Sequence, residues 1–186
     1  MKQLLKTLDF THFVVKEFVN AGDTVIDATA GNGYDTLFLA ELVGERGKVF
    51  AFDIQQKAIQ STEGLLREQG LFPRVQLIRD GHEHIEEYVK EEVSAVMFNL
   101  GYLPGSDHRI VTQPETTIKG VKAALTMLSP GGVITLVVYT GHPGGQEEWP
   151  FIEHYVKSLA KNNYRVLLYK FLNTDKSPFM VAVEKR

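Results

Sequence analysis

The sequence predicts an α/β protein: a seven-stranded, mostly parallel sheet with helices on both faces and an antiparallel C-terminal hairpin. Three observations predict it. Short β-branched runs alternate with longer segments of helical period, and strands joined through helices form right-handed crossovers and parallel pairs. The last two apolar runs are separated only by Asn173-Thr174-Asp175-Lys176-Ser177, too short for a crossover, so they pair antiparallel. A Gly-rich turn after the first strand and a carboxylate at the end of the second mark the carboxyl edge of the sheet, where open α/β sheets bind ligands.

Each element follows from its own residues. Val14, Val15, Phe18 and Val19 share one helical face over 11–19, and Asn20-Ala21-Gly22 ends that helix. Thr24-Val25-Ile26-Asp27-Ala28 is a short apolar strand, and 34–43 reads as a helix. Lys48-Val49-Phe50-Ala51-Phe52-Asp53 is the second strand. The helix over 55–69 turns Ala58, Ile59, Thr62, Leu65 and Leu66 inward and stops at Gly70. Arg74-Val75-Gln76-Leu77-Ile78 is a strand, 82–90 a short helix, and Ser94-Ala95-Val96-Met97-Phe98 a strand buried on both faces. Ile118, Val121, Leu125 and Leu128 stripe a further helix, stopped before Ser129-Pro130-Gly131-Gly132. Val133 to Tyr139 is the strongest β-forming run, a helix follows over 147–161, and strands over 165–172 and 178–184 close the chain.

The 186 residues suit one domain, 1–186, without an internal repeat or linker. At 44% hydrophobic and 23% charged, the composition is globular and excludes disordered or fibrous classes. The absence of cysteine excludes disulfides, thiolate zinc sites and a cysteine nucleophile. No apolar run approaches the roughly 20 residues of a membrane span. Met1-Lys2-Gln3-Leu4-Leu5-Lys6 lacks the apolar core of a signal peptide. A cytoplasmic protein with no membrane partner is expected. The formal net charge of -3 lends no bulk electrostatic support to nucleic-acid binding, so an RNA partner would need a local patch. Lys119 and Lys122 with Arg109, or Lys157, Lys161 and Arg165, would serve, although such residues also read as solvated surface.

The strand ends carry the chemistry. After the first strand comes Asp27-Ala28-Thr29-Ala30-Gly31-Asn32-Gly33, where Gly31 and Gly33 allow a tight turn and close backbone approach to a ligand. Asp53 ends the second strand and is placed to accept both hydroxyls of an adenosine ribose. Asp80-Gly81-His82 follows the third, placed to flank an adenine ring. A dinucleotide fingerprint would require Gly or Ala where Thr36 stands, so the match to nicotinamide-binding proteins is poor. The fourth strand runs into Asn99-Leu100-Gly101-Tyr102. An Asn oxygen and the next carbonyl can accept hydrogen bonds from an amine and aim its lone pair, while the aromatic ring stacks on a base.

Asp27-x-x-x-Gly31-x-Gly33 resembles the first motif of class I S-adenosylmethionine-dependent methyltransferases, with Thr29 in place of the usual first Gly. Five parallel strands plus a terminal hairpin is likewise their Rossmann-like arrangement. Asn99-Leu100-Gly101-Tyr102 resembles the Asn-Pro-Pro-Tyr motif of enzymes that methylate exocyclic amines. Together with Leu103-Pro104-Gly105-Ser106-Asp107, Tyr139-Thr140-Gly141-His142-Pro143-Gly144-Gly145 and Phe52-Asp53-Ile54-Gln55-Gln56-Lys57, it is similar over essentially the whole chain to one small bacterial family. That family was long labelled rRNA methylase and is similar to enzymes that methylate 5-aminomethyl-2-thiouridine at the tRNA wobble position. The resemblance implies S-adenosylmethionine as cofactor and no metal. It implies a tRNA anticodon stem-loop as partner, read by the catalytic face, and leaves room for a homodimer. It puts Asp27, Gly31, Asn32, Gly33, Asp53, Gln55, Gly81, His82 and Asn99 at the cofactor. For catalysis, Asn99 is expected to orient the amine, Tyr102 to stack on the uracil, and Asp107 or His142 to handle the proton.

Plainer readings stand beside these. Asp53 also reads as a helix cap, Asp107 as a turn former, and His142 as part of a structural Pro-Gly-Gly loop. His82-Glu83-His84 tempts a metal reading, but alternate residues of a helix face different ways. His12 and His154 fall within amphipathic helices and read as surface residues. N-methylation of a ribosomal RNA base fits the strand-end motif equally, and a nucleotide-binding protein without catalysis is the reading from another class.

Overall fold

The computed structural model describes residues 3–101, 112–141, 143–174 and 177–186. Its strands are β1 (Thr24–Asp27), β2 (Lys48–Phe52), β3 (Val75–Ile78), β4 (Val93–Asn99), β5 (Leu128–Val138), β6 (Tyr164–Tyr169) and β7 (Phe179–Lys185). The helices are α1 (Thr7–Phe18), α2 (Tyr34–Val43), α3 (Gln56–Glu68), α4 (Ile85–Tyr88), α5 (Pro114–Met127) and α6 (Pro143–Ser158). All strands join one seven-stranded sheet in the order β3-β2-β1-β4-β5-β7-β6. The first five are parallel, with Ile26 of β1 beside Phe50 on one side and Val96 on the other. As the short final connection required, β7 is antiparallel to β6, and it slots between β5 and β6.

Period-two alternation divides the core between the two faces. Ile26, Phe52, Phe98 and Leu136 pack with Ile85 of α4, Val121 of α5 and Ile152 of α6. Val25, Ala51, Met97 and Val137 face Val15 of α1, Leu39 of α2 and Leu66 of α3 on the other side. Each face is therefore covered, and the chain reverses winding direction between β1 and β4. That reversal opens a crevice beyond the carboxyl ends of the two strands.

The structure moves several boundaries, among them the strand expected over 165–172, which runs Tyr164–Tyr169. α1 begins at Thr7, four residues before the expected start at 11. Its buried line is Thr7, Thr11 and Val15. Two threonines masked the stripe, because each satisfies its hydroxyl against a carbonyl: Thr7 donates to Pro178 and Thr11 to Thr7. The short helix expected over 82–90 is a 3-10 turn, His82–His84, that continues into α4 and ends at Tyr88. Ser129-Pro130-Gly131-Gly132 does not separate a helix from a strand but lies inside β5. Leu128 pairs with Val93 and Val133 with Ala95, so the four residues 129–132 stand opposite Ser94 alone in a bulge. α6 starts at Pro143 rather than 147 and runs through Pro150. A proline opens a helix without loss, since its missing N–H would have no partner there. No helix among the described residues is long and apolar enough to cross a membrane.

Candidate active site

A cavity of about 900 Å³ occupies the crevice, within the size range of small-molecule sites. Two groups of residues line it. Gly31, Asn32, Asp53, Gln55, Gly81 and His82 form one end, and His12, Asp35, Asn99 and Tyr139 the other.

The first end is built by the turn after β1. Gly33 carries φ +89°, and a Cβ there would stand 2.9 Å from the Thr62 backbone, so only glycine fits. Asp53 holds the turn in place: its carboxylate accepts the Gly31 N–H at 3.0 Å and the Gln55 N–H at 2.8 Å. Burial pushes the Asp53 carboxyl up, and those two N–H groups pull against the shift. A carboxylate has about four lone-pair sites, so two accepted bonds leave capacity for a diol. Ile54 beside it is 56% exposed and lines the same cavity, an apolar flank that sequence reading passed over.

His82 turns inward. It meets the Phe98 ring edge-on at 5.5 Å and bonds the backbone of Ala28 through one ring nitrogen. Its Nε2 is buried with no hydrogen-bond partner among the described residues, and burial lowers its pKa, so the ring is neutral. Gly120 of α5 makes the space, since a Cβ there would meet His82 Cδ2 at 2.7 Å. His84 instead bonds Asp80 at 2.9 Å, and Tyr88 donates to the other Asp80 oxygen at 2.8 Å. The Asp80 carboxyl is lowered by these bonds, His84 first.

Asp27 and Gly33 stand behind the cavity wall rather than on it. Asp27 is 1% exposed and accepts the Thr29 N–H at 3.1 Å and the Thr36 hydroxyl at 2.5 Å. Burial, reinforced by the nearby Asp35 charge, raises its pKa to about 7. Thr36, which breaks the dinucleotide pattern, thus serves as the buried partner of Asp27. Thr29 also has a use: its hydroxyl accepts the Asn99 N–H at 2.7 Å and ties the β1 turn to the end of β4.

The second end was mostly invisible in the sequence. Asp35, in the first turn of α2, accepts the Asn99 side-chain N–H at 3.1 Å and bonds His12 Nε2 at 2.7 Å. His12 is not a bystander on the surface. It stacks on Phe38 at 3.9 Å with an interplanar angle of 3°, and this fixes the ring toward Asp35. Asn99 also bonds the Tyr139 hydroxyl, whose pKa is raised chiefly by burial. A carboxylate accepts and never donates, so Asp35 dictates that Asn99 turns its NH₂ toward it. The Asn99 carbonyl oxygen is then what the amide offers the cavity.

Below Asn99, the chain leaves and re-enters at a clamped neck. Gly101 and Thr112 exchange two hydrogen bonds, at 3.0 and 3.1 Å. Glu148 of α6, 1% exposed, accepts the Thr112 hydroxyl at 2.9 Å and the Thr117 hydroxyl at 2.5 Å. Burial raises its pKa. Tyr102, Asp107 and His142, expected at the site, lie outside the described residues, as do Arg109 and His108. Of the expected basic patches, Lys157 pairs with Glu153 at 2.6 Å and Arg165 with Glu184 at 3.7 Å.

The donor set fits an adenosyl sulfonium: a carboxylate for the ribose, an exposed isoleucine and a neutral histidine turn for the ring, and a glycine turn that lets backbone approach closely between them. Fold and site define an S-adenosylmethionine-dependent methyltransferase, and the relatives agree. A crystal structure of a methyltransferase from Streptococcus mutans, in complex with SAH, superposes with a TM-score of 0.90 at 36% identity, covering 99% of this chain and 100% of that one. The chain belongs to the family described as "Putative rRNA methylase", which matches residues 49–185. The crystal structure of an rRNA-methylase so described from Clostridium thermocellum has a TM-score of 0.98 at 46% identity, with 100% of both chains covered. The chloroplastic tRNA (mnm(5)s(2)U34)-methyltransferase of Arabidopsis thaliana is 41% identical over 192 residues, 97% of this chain and 70% of the relative.

Proposed function

We propose that the protein methylates the aminomethyl nitrogen of 5-aminomethyl-(2-thio)uridine at the tRNA wobble position. The observation that carries this reading is Asn99, which lines the cavity with its side-chain N–H held by Asp35. An amide oxygen at that position can accept an amine N–H, a contact that a carbon nucleophile could not supply. The plant relative, whose name gives the methylated form of this nucleoside in tRNA, supports the choice of tRNA over ribosomal RNA.

When bound, S-adenosylmethionine supplies an electrophilic methyl group. Asp53 and Gln55 would hold its ribose, and Gly81 and His82 its adenine. Asn99 then orients the nitrogen, which contributes mainly through alignment. Tyr34, 70% exposed at the rim of the cavity, is a described aromatic that a base can stack on beside the expected Tyr102. A homodimer would draw on β6, the sheet edge that exposes Val166, Leu167 and Leu168.

Nucleoside mass spectrometry of tRNA from a deletion strain tests the proposal. Accumulation of the unmethylated aminomethyl nucleoside is expected. An unchanged wobble profile, with methyl transfer instead to purified ribosomal RNA, would select the alternative substrate.

A further inference from the structure

An amine substrate poses a problem that Asn99 alone does not solve. A primary alkylamine is mostly protonated near neutral pH, and an ammonium has no lone pair to attack with. Asn99 carries no titratable group. The described titratable groups that line the cavity beside it are few: Asp9 and His12 from α1, Tyr34 and Asp35 from α2, and Tyr139 after β5. Asp27 lies buried behind Asp35, and Asp53, Asp80 and Glu83 belong to the ends of β2 and β3. Of these, Asp35 bonds Asn99 directly, at 3.1 Å. Its side chain is only 13% exposed, whereas that of its partner His12 is 31% exposed. Tyr139 also reaches Asn99, but its raised pKa keeps the phenol protonated and unable to accept a proton.

We propose that Asp35, held between His12 and Asn99, takes the proton of the substrate ammonium and passes it through His12 to solvent. The proposal rests on the amine reading above. The proton moves from the ammonium to a carboxylate oxygen of Asp35, leaving a neutral amine. The nitrogen lone pair then forms the N–C bond as the C–S bond of the donor breaks, and that electron pair stays on sulfur. The product is a secondary ammonium, whose positive charge the nearby acidic cluster favours. His12, hydrogen-bonded to Asp35 at 2.7 Å and open to water, returns the pair to its starting state.

The test uses purified tRNA bearing the aminomethyl nucleoside, with single-turnover methylation measured from pH 6 to 10. Asp35→Asn preserves shape and removes the proton acceptor. At pH 7 its rate should fall by about 100-fold or more, then recover about tenfold per pH unit as neutral amine becomes available. Affinity for S-adenosylhomocysteine, measured by calorimetry, should be unchanged, and this also shows that the variant is folded. His12→Ala should slow the reaction less, with the same steepening of the pH profile. Should Asp35→Asn fail to fold, His12→Ala carries the test alone, and a wild-type rate and pH profile in it would overturn the proposal. Asp35→Asn with a wild-type pH profile would overturn the proposal, as would an affinity loss for S-adenosylhomocysteine that accounts for the whole rate deficit in a folded protein. Failure of the wild-type enzyme to methylate this tRNA would instead overturn the substrate reading, and the proton assignment with it.

Discussion

Replacing Asp27 by Asn should stabilise the protein above neutral pH. The carboxyl is 1% exposed, and its pKa rises from 3.8 to about 7 in the folded chain, chiefly through burial and then through the Asp35 charge. Between those values the native state holds one proton that the unfolded chain has released. Stability therefore falls as pH rises through that window and levels off above about pH 7. At about 1.4 kcal/mol per pH unit, the full penalty at pH 8 is up to about 4 kcal/mol. Asn keeps an oxygen for the Thr29 N–H, and the Thr36 hydroxyl can rotate to accept from its NH₂. For a chain of this size, a gain of that order raises Tm by roughly 8–16 °C. Thermal melts of both proteins from pH 4 to 9, without donor, check it. The two should converge near pH 4, diverge up to about pH 7 and run parallel above it. Parallel curves over the whole range, or an Asp27→Asn variant less stable at pH 8, would refute the claim that this carboxyl is held at a cost. Asp53 and Glu148 are also raised by burial and slope the same way, so the difference between the two proteins is the quantity that reports on Asp27.

Three other outcomes are expected. Asp53→Ala removes the acceptor that holds Gly31 and Gln55, and calorimetry should show S-adenosylhomocysteine affinity falling at least about 10-fold, in line with the loss of a charged hydrogen-bond partner. Gly120→Ala gains helix propensity of about 1 kcal/mol but drives a methyl against His82; donor affinity should drop, and an unaltered affinity would mean that the His82 position does not matter. Glu148→Ala frees the Thr112 and Thr117 hydroxyls in a buried site, so the melt should show a loss of about 1–3 kcal/mol and the KM for RNA should rise more than that for the donor.

Much of the donor end was legible because its residues act where the chain already announces a boundary. Asp53 and His82 stand at strand ends, and Gly31 and Gly33 lie in the turn that follows β1, so locating the strands located them. Thr29 and Thr36 looked like defects in a motif. Their hydroxyls are in fact bonded to Asn99 and Asp27, which no spacing rule reveals. The family resemblance added the expectation of amine chemistry and of a tRNA substrate, neither of which composition or periodicity contains.

The sequence by itself determined the alternation of strands and helices, the parallel pairing, the closing hairpin and the residues at the carboxyl edge. These depend on local preference and on connection length, and both are written along the chain. Only the tertiary structure decided that His12, Asp35 and Asn99 meet, because their partners lie 23 and 64 positions apart. It also decided that Glu148, from a helix expected to start elsewhere, anchors the neck after β4. Side chains that converge from different elements leave no periodic trace, since their meeting depends on where the sheet and its helices pack in space.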